Sequence, residues 1–459
     1  MGMGVVSASA QEISQAKWLK NMKAINPNIR LRYQVDEAAI KAAGIQKLSG
    51  KHLDLYTDVR DDSIKELVDV FDKSVSQWCQ IFDVKPEKAA KWRMRVFLVA
   101  DSKNTKNFQR AGVMPNDLPL FLAGFQRDHD FWLFLQPSEY YTRHLLIHEG
   151  THAFMQWFLN GYGAPWYSEG VAELVGFHSW KDSNLKLKYR ARDRVEADGC
   201  ARVRRLKRDW DANNLMSLGD VLAIPPKAFL DVRFYAWSWA GCDFFSRHPK
   251  TKKAFQSLKQ NASIHPTEFN VQFQKLIRPD WVELQRDWLL FLSEAEYGYE
   301  VERGLMTEAK SAGGSKFEIK TNYSWQTTSV QVKKGDRFKI SSKGEFKIGP
   351  HPFAFLNMNR GMEDETLLSS KKPWRCQSNG ITIDYYRKQP LGMLIGGVFN
   401  PAEATPHAQL KGLIDFQPIG LSREIVASQD GVLCLRINES PAHLGDNEGV
   451  LHVVIEKLK

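Results

Sequence analysis

The sequence predicts an α+β chain: a small sheet with helices packed on it, followed by a long segment built only of short strands. Three observations carry this. Between residues 64 and 82, Ile64, Leu67, Val68, Phe71, Val75, Trp78, Cys79 and Phe82 recur at the spacing of a helix with one buried face. Residues 93–100 (RMRVFLVA) and 131–135 (FWLFL) read as strands, the second after a polar turn at 127–130. From residue 317 onward, short alternating runs are separated by Gly, Pro, Asn and Asp, the pattern of an all-β sandwich.

The bulk composition bounds the rest. A chain of 459 residues makes two or three domains at roughly 150 residues each. With 43% hydrophobic and 25% charged residues it has the balance of a protein that buries real cores. No run approaches the roughly 20 apolar residues that a membrane-spanning helix needs, so a transmembrane segment is not expected. The net charge of +10 admits an anionic partner, and the dense basic block is residues 181–208. Acidic residues interrupt that block, so it reads as a solvated helix with i,i+4 pairs; the alternative is an anionic substrate or partner surface. No RNA-binding signature, phosphate-binding loop or zinc-finger spacing accompanies it, and no nucleic-acid partner is expected. The five cysteines form no CxxC pair, which points to buried thiols rather than a disulfide framework.

In chain order, residues 1–50 read as an N-terminal extension, irregular and then helical over 37–45. Within it Ala8-Ser9-Ala10 has the small-residue form of a secretory cleavage end, without the charged start or apolar stretch. Export, to a secreted or periplasmic location, is the reading taken, with a flexible tail as the alternative. A first domain spans 51–308: a strand at 52–59, the helix and strands above, and a helix over 139–160 broken by Gly161 to Pro165. A second helix follows over 166–178, then others at 234–246 and 281–295. Residues 309–316 (AKSAGGSK) have linker composition, and 317–459 form the β domain.

The chemistry sits at His148-Glu149-Gly150-Thr151-His152, an HExxH sequence inside a predicted helix. Residues four apart share a face, so both imidazoles reach one ion, with Glu149 beside them to hold a water. Chance supplies roughly 0.02 such motifs per chain of this composition, so the flanks have to decide. A catalytic zinc needs a third protein ligand, and Glu169 in WYSEGVAEL follows His152 across the Gly/Pro turn. Glu173, one helical turn on, is placed to accept the free ring N–H of His148. Taken singly, each histidine is ordinarily a core or surface residue and each glutamate a solvated one; together they point to a metal site.

On these residues, HExxH followed by WxxEGxAE, the stretch from about His52 to Leu292 resembles the gluzincins of the peptidase MA clan. The resemblance implies a zincin-like catalytic domain that holds Zn2+ on His148, His152 and Glu169. It also implies Glu149 as general base, Glu173 as the acid behind the ligands, and a protein or peptide substrate. The oxyanion then needs a donor opposite the metal, and Tyr235 in RFYAWSW is the candidate, with Tyr167, Tyr162 and His178 competing. Core packing beside Trp237 and Trp239 is the plain alternative for Tyr235. In gluzincins an edge strand pairs with the extended peptide; residues 122–125 or 131–135 are the candidates here.

The β domain is similar to PA-I-like galactophilic lectins, in residues 328–336, 342–350, 394–396 and 438–449 (NESPAHLGDNEG). That resemblance implies a jelly-roll-like sandwich with Ca2+ on Glu439, Asp446 and Asn447, helped by carbonyls of His443 and Ile348. Glu439 is longer than the family's acid at that position. The family's sugar-contacting loop is replaced by residues 362–374, where Trp374 is the candidate for stacking on a glycan. The activity expected is peptide-bond hydrolysis with a targeting tail. One alternative is a non-catalytic carbohydrate-binding or adhesion protein with the zincin domain as scaffold; loss of Glu149 would have signalled it, and Glu149 is present. The other is a metallohydrolase acting on a non-peptide amide.

Overall fold

The computed structural model describes residues 14–28, 35–118, 123–349, 373–400 and 414–459. The chain is mixed α and β and divides into two compact units. The first comprises Met1–Arg202, Leu222–Asp243 and Lys253–Leu276; the second comprises Val203–Val221, Phe244–Lys252 and Ile277–Lys459. The segments 1–13, 122 and 350, and residues 362–372, on which parts of the export, edge-strand and lectin expectations fall, lie outside the described residues.

The first unit is organised by a five-stranded sheet: β1 (Gln46–Ser49), β2 (Leu53–Thr57), β3 (Met94–Val99), β4 (Gly124–Arg127) and β5 (Asp130–Phe134), in the order β1-β2-β3-β5-β4. β2, β3 and β5 run parallel, and the outer strands β1 and β4 are antiparallel to their neighbours. Every residue of β3 is buried, which is why it reads as a continuous apolar run. Residues 131–135 are therefore not an edge: β5 is hydrogen-bonded on both sides, and the edge belongs to β4. Charges inside this sheet are paired. Arg93 bonds Asp54 through two nitrogens, and Arg95 does the same with Asp130. The helix Gln15–Ile25 covers them, its Trp18 indole 4.7 Å from the Arg95 guanidinium and donating to the Arg93 carbonyl.

Helix Lys65–Phe82 buries the face the spacing predicts and stops at Asp83, in the left-handed conformation. Against it lies the histidine helix, Glu139–Leu159, capped by the Ser138 side chain at its start. The two variable positions of the HExxH sequence are explained by this packing. A Cβ at Gly150 would stand 2.5 Å from the Trp78 ring, while the Thr151 hydroxyl accepts from the Trp78 indole at 3.0 Å. After a turn containing left-handed Asn160 and Gly163, the glutamate helix Pro165–Gly176 begins with proline at its first position.

Residues 181–208 depart from the expectation of one solvated helix. They contain a hairpin, His178–Lys181 with Asn184–Leu187, then an irregular stretch, and helix begins only at Arg202. Left-handed Asp182, Ser183, Lys188 and Gly199 interrupt any continuous helix there. One i,i+4 pair, Arg192 with Glu196, closes a turn of the loop instead.

In the second unit two five-stranded sheets share one core. One runs Ser422–Val426, Arg337–Lys343, Val450–Lys457, Lys316–Lys320, Lys310–Ser311; the other runs Ile414–Pro418, Leu394–Phe399, Gly431–Ile437, Gln326–Val332, Thr307–Glu308. Phe317, Ile340, Leu433, Leu435 and Val453 meet between them. Lys310 and Ser311, in the stretch of linker composition, are already strand residues. All five cysteines are buried thiols, none in a disulfide. Among the described residues no helix is long and apolar enough to cross a membrane.

Gly150→Ala tests the helix contact. Its methyl has to displace the Trp78 ring, and overpacking of this kind costs about 1–3 kcal/mol in urea unfolding. A variant as stable as the parent would show that the two helices are not held at this separation.

Candidate metal centre

Three ligand atoms from the two motif helices converge. His148 Nε2 lies 3.1 Å from His152 Nε2, and each lies 3.3 Å from Glu169 Oε2. Four-residue spacing puts both histidines on one helical face, and the turn at 160–165 returns the glutamate helix across it. Donors about 2.0–2.1 Å from a zinc ion at tetrahedral angles stand about 3.3 Å from one another, so this triangle has the size of one face of a zinc coordination tetrahedron. Burial opposes charge at both ends of the cluster. The neighbouring carboxylates of Glu169 and Glu173 nevertheless lift His148 to about 10, and His152 and His148 hold Glu169 down to about 2. Such a cluster attracts positive charge.

Behind the triangle stands Glu173, 1% exposed. One oxygen lies 3.3 Å from His148 Nδ1, at an angle too poor to count as a hydrogen bond, and the other lies 3.2 Å from His144 Nε2. Arg202 donates to both oxygens at 2.7 Å, through Nε and Nη2. Burial works against ionising Glu173, but Arg202 and His144 bring its carboxyl well below the ordinary range. His152 is held from the rear as well, its Nδ1 3.2 Å from the Ser168 hydroxyl.

Glu149 is buried beside the triangle. Burial raises its carboxyl above the usual value, and His148 and His152 draw it back only in part. The edge strand β4 passes directly over it: a Cβ at Gly124 would stand 2.7 Å from Glu149 Oε1. Two tyrosines flank the ligands. The Tyr235 ring is 6.0 Å from that of His148, and the Tyr162 ring is 6.0 Å from that of His152. Burial, reinforced by nearby carboxylates, raises both phenols, so each remains a donor. Tyr162 donates to Gln126 at 3.2 Å, whereas the Tyr235 hydroxyl has no hydrogen-bond partner among the described residues. The other two candidates stand elsewhere. Tyr167 is packed among Trp166, Phe255 and Phe269, and His178 stacks on Tyr140 with its ring bonded to the Gly176 carbonyl.

Glycines set the separations. A Cβ at Gly170 would overlap the Ser238 carbonyl and the Cys242 sulfur, so the glutamate helix lies directly on helix Val232–Arg247, which carries Tyr235. A Cβ at Gly176 would stand 2.8 Å from the His144 ring.

Two residues here, His144 and Ser168, were given no role from the sequence, while Arg202 was read only as part of the basic block and Gly124 only as part of the candidate edge strand 122–125, which overlaps β4. His144 carried a signal, since it precedes His148 by the same four residues that link His148 to His152. Ser168 carried none.

In the second unit Glu439 and Asn447 meet. Glu439 is fully buried and accepts from the Asn447 amide, which also donates to the Thr321 carbonyl at 3.0 Å. The Asn447 carbonyl oxygen is buried with no hydrogen-bond partner. Asp446 is exposed, its carboxylate against the backbone of Gly349, and its N–H points to the His443 carbonyl at 3.5 Å.

No family model matches the chain, and no curated protein matches it. Among solved structures, the N-terminal domain of EclA, a PllA-like lectin, is similar to it at 14% identity over 32% of this chain and 97% of that one, with a TM-score of 0.21.

Replacing Glu173 by Ala leaves the Arg202 guanidinium buried and unpaired, which costs about 3–5 kcal/mol of unfolding free energy. A loss below about 1 kcal/mol would mean that Glu173 does not hold these groups together.

Proposed function

We propose that the chain is a zinc-dependent hydrolase of peptide bonds, with a zincin-like first unit. The observation that carries this reading is the triangle of His148, His152 and Glu169, whose edges of 3.1–3.3 Å suit one small tetrahedral ion. Two imidazoles and one carboxylate are also the donor types of catalytic zinc, which keeps a fourth position open.

Zinc held there supplies Lewis acidity and brings the pKa of a coordinated water to about 7. Glu149, kept apart from the ligand atoms and raised by burial, takes a proton from the attacking water and returns it to the leaving amine. Gly124 gives the room this carboxylate needs, and the free edge of β4 offers backbone groups to an extended peptide. Tyr235, with its hydroxyl uncommitted, donates to the developing oxyanion.

The second unit, read as a jelly-roll-like, lectin-type sandwich, binds calcium in the 438–449 loop and so can target the enzyme to a glycan. The orphaned Asn447 oxygen beside a fully buried Glu439 supports a cation there, since a hard ion satisfies both. The rival reading, an adhesion protein on an inactive scaffold, has Glu149 against it.

Zinc at about 100 times its Kd stabilises the parent by about 2.7 kcal/mol and leaves His152→Ala unmoved. Glu149→Gln keeps the zinc and loses cleavage of a quenched peptide library. Tyr235→Phe lowers kcat by about 10²–10³, and Tyr162→Phe by much less. A parent that binds no zinc after chelator-free purification would end the metal reading. Zinc without cleavage of any peptide would end the peptidase reading, and the reverse order of the two tyrosines would end the assignment of Tyr235.

A further inference from the structure

Arg202 lies 29 residues beyond Glu173 in sequence, at the start of helix Arg202–Asp211 and inside the block read as solvent-facing charge. Its side chain is only 10% exposed. Two of its nitrogens fix both oxygens of Glu173, and its guanidinium carbon lies 5.6 Å from the centre of the Tyr235 ring. The carboxylate it fixes faces His148 through one oxygen and His144 through the other. Tyr235 in turn faces His148. One cation is thus in contact with the group behind the first metal ligand and with the phenol in front of it.

From this geometry we infer that Arg202 is a positioning residue for the metal centre: its fork fixes Glu173 so that His148 presents Nε2 to the ion, and its flat face sets the Tyr235 ring. The inference rests on the zinc reading above and deepens it. A carboxylate with two histidines to serve has several rotamers available. Two parallel N–H···O bonds leave it one, which is the particular property of a guanidinium; a lysine ammonium could neutralise the charge without fixing the plane. His144, its ring close against Gly176, meets one Glu173 oxygen through a single nitrogen, whereas Arg202 holds both. The same contacts argue against a second metal ion among His144, His148 and Glu173, which lie close enough to hold one. Arg202 already occupies both oxygens with positive charge.

The test uses the full chain and reads zinc affinity by chelator competition, together with the visible spectrum of the cobalt-substituted protein. Arg202→Lys keeps the charge and removes the fork. It is expected to weaken zinc binding about 10–100-fold, the range for loss of an outer-shell partner, and to change the cobalt bands. Because Arg202→Ala strands a buried carboxylate and can unfold the chain, the companion variant is the double change Arg202→Met with Glu173→Gln. It removes both charges at similar volume. It should fold, and it should bind zinc as weakly as Arg202→Lys. If Arg202→Lys and the double variant bind zinc as tightly as the parent with unchanged cobalt bands, the inference is overturned while the zinc reading stands. A parent that binds no zinc overturns both.

Discussion

The centre depends on how closely three helices can approach. Atoms from Glu139–Leu159 and Pro165–Gly176 meet within 3.3 Å, and a third helix, Val232–Arg247, brings Tyr235 to the same place. Each approach occurs where a side chain is missing. Gly150 admits Trp78 to the outer face of the histidine helix, Gly176 admits His144 between the two motif helices, and Gly170 admits the backbone of the third. Methyl groups at these points would overlap the Trp78 ring, the His144 ring and the Ser238 carbonyl, so the neighbours would have to shift. The glycines inside HEGTH and SEGVAE therefore set how closely the helices around the triangle approach, although neither offers a side chain to it.

What was legible in the sequence follows from locality. His148, His152 and Glu149 share one helical face, and Glu169 and Glu173 repeat that arrangement a short turn later, so periodicity alone brings five groups together. Helix Lys65–Phe82 was legible because it buries one face at a single spacing, and strand β3 because it is one nearly unbroken apolar run. Arg202 was not, because its role is set by a contact across 29 residues, and its neighbours Arg204, Arg205, Lys207 and Arg208 make it look like one more surface charge. The basic block misled in a second way. Alternating charge suggested helix, while the left-handed residues at 182, 183 and 188 belong to turns whose signal, Asp-Ser beside Asn, is weak. Strands β1 and β4 are four residues each and only half-buried, too short and too mixed to show a period.

Buried charge separates the centre from the rest of its unit. In the sheet, acids and bases are matched one to one. Asp54 has Arg93, and Asp130 has Arg95, which with His129 keeps its carboxyl low despite burial. Such pairs cost little net free energy because neither charge is left alone. Around the motif they are not matched in this way: Arg202 is committed to Glu173, and Glu169 lies against the two histidines.

Protons on the histidines could restore the balance only in part. His148 Nε2 and His152 Nε2 point at one another across 3.1 Å, with Glu169 Oε2 at 3.3 Å from both. Two N–H groups cannot occupy that gap together, so one of the two imidazoles keeps its lone pair turned inward. A divalent cation, as proposed for this triangle, would accept both lone pairs and satisfy the Glu169 oxygen at the same time.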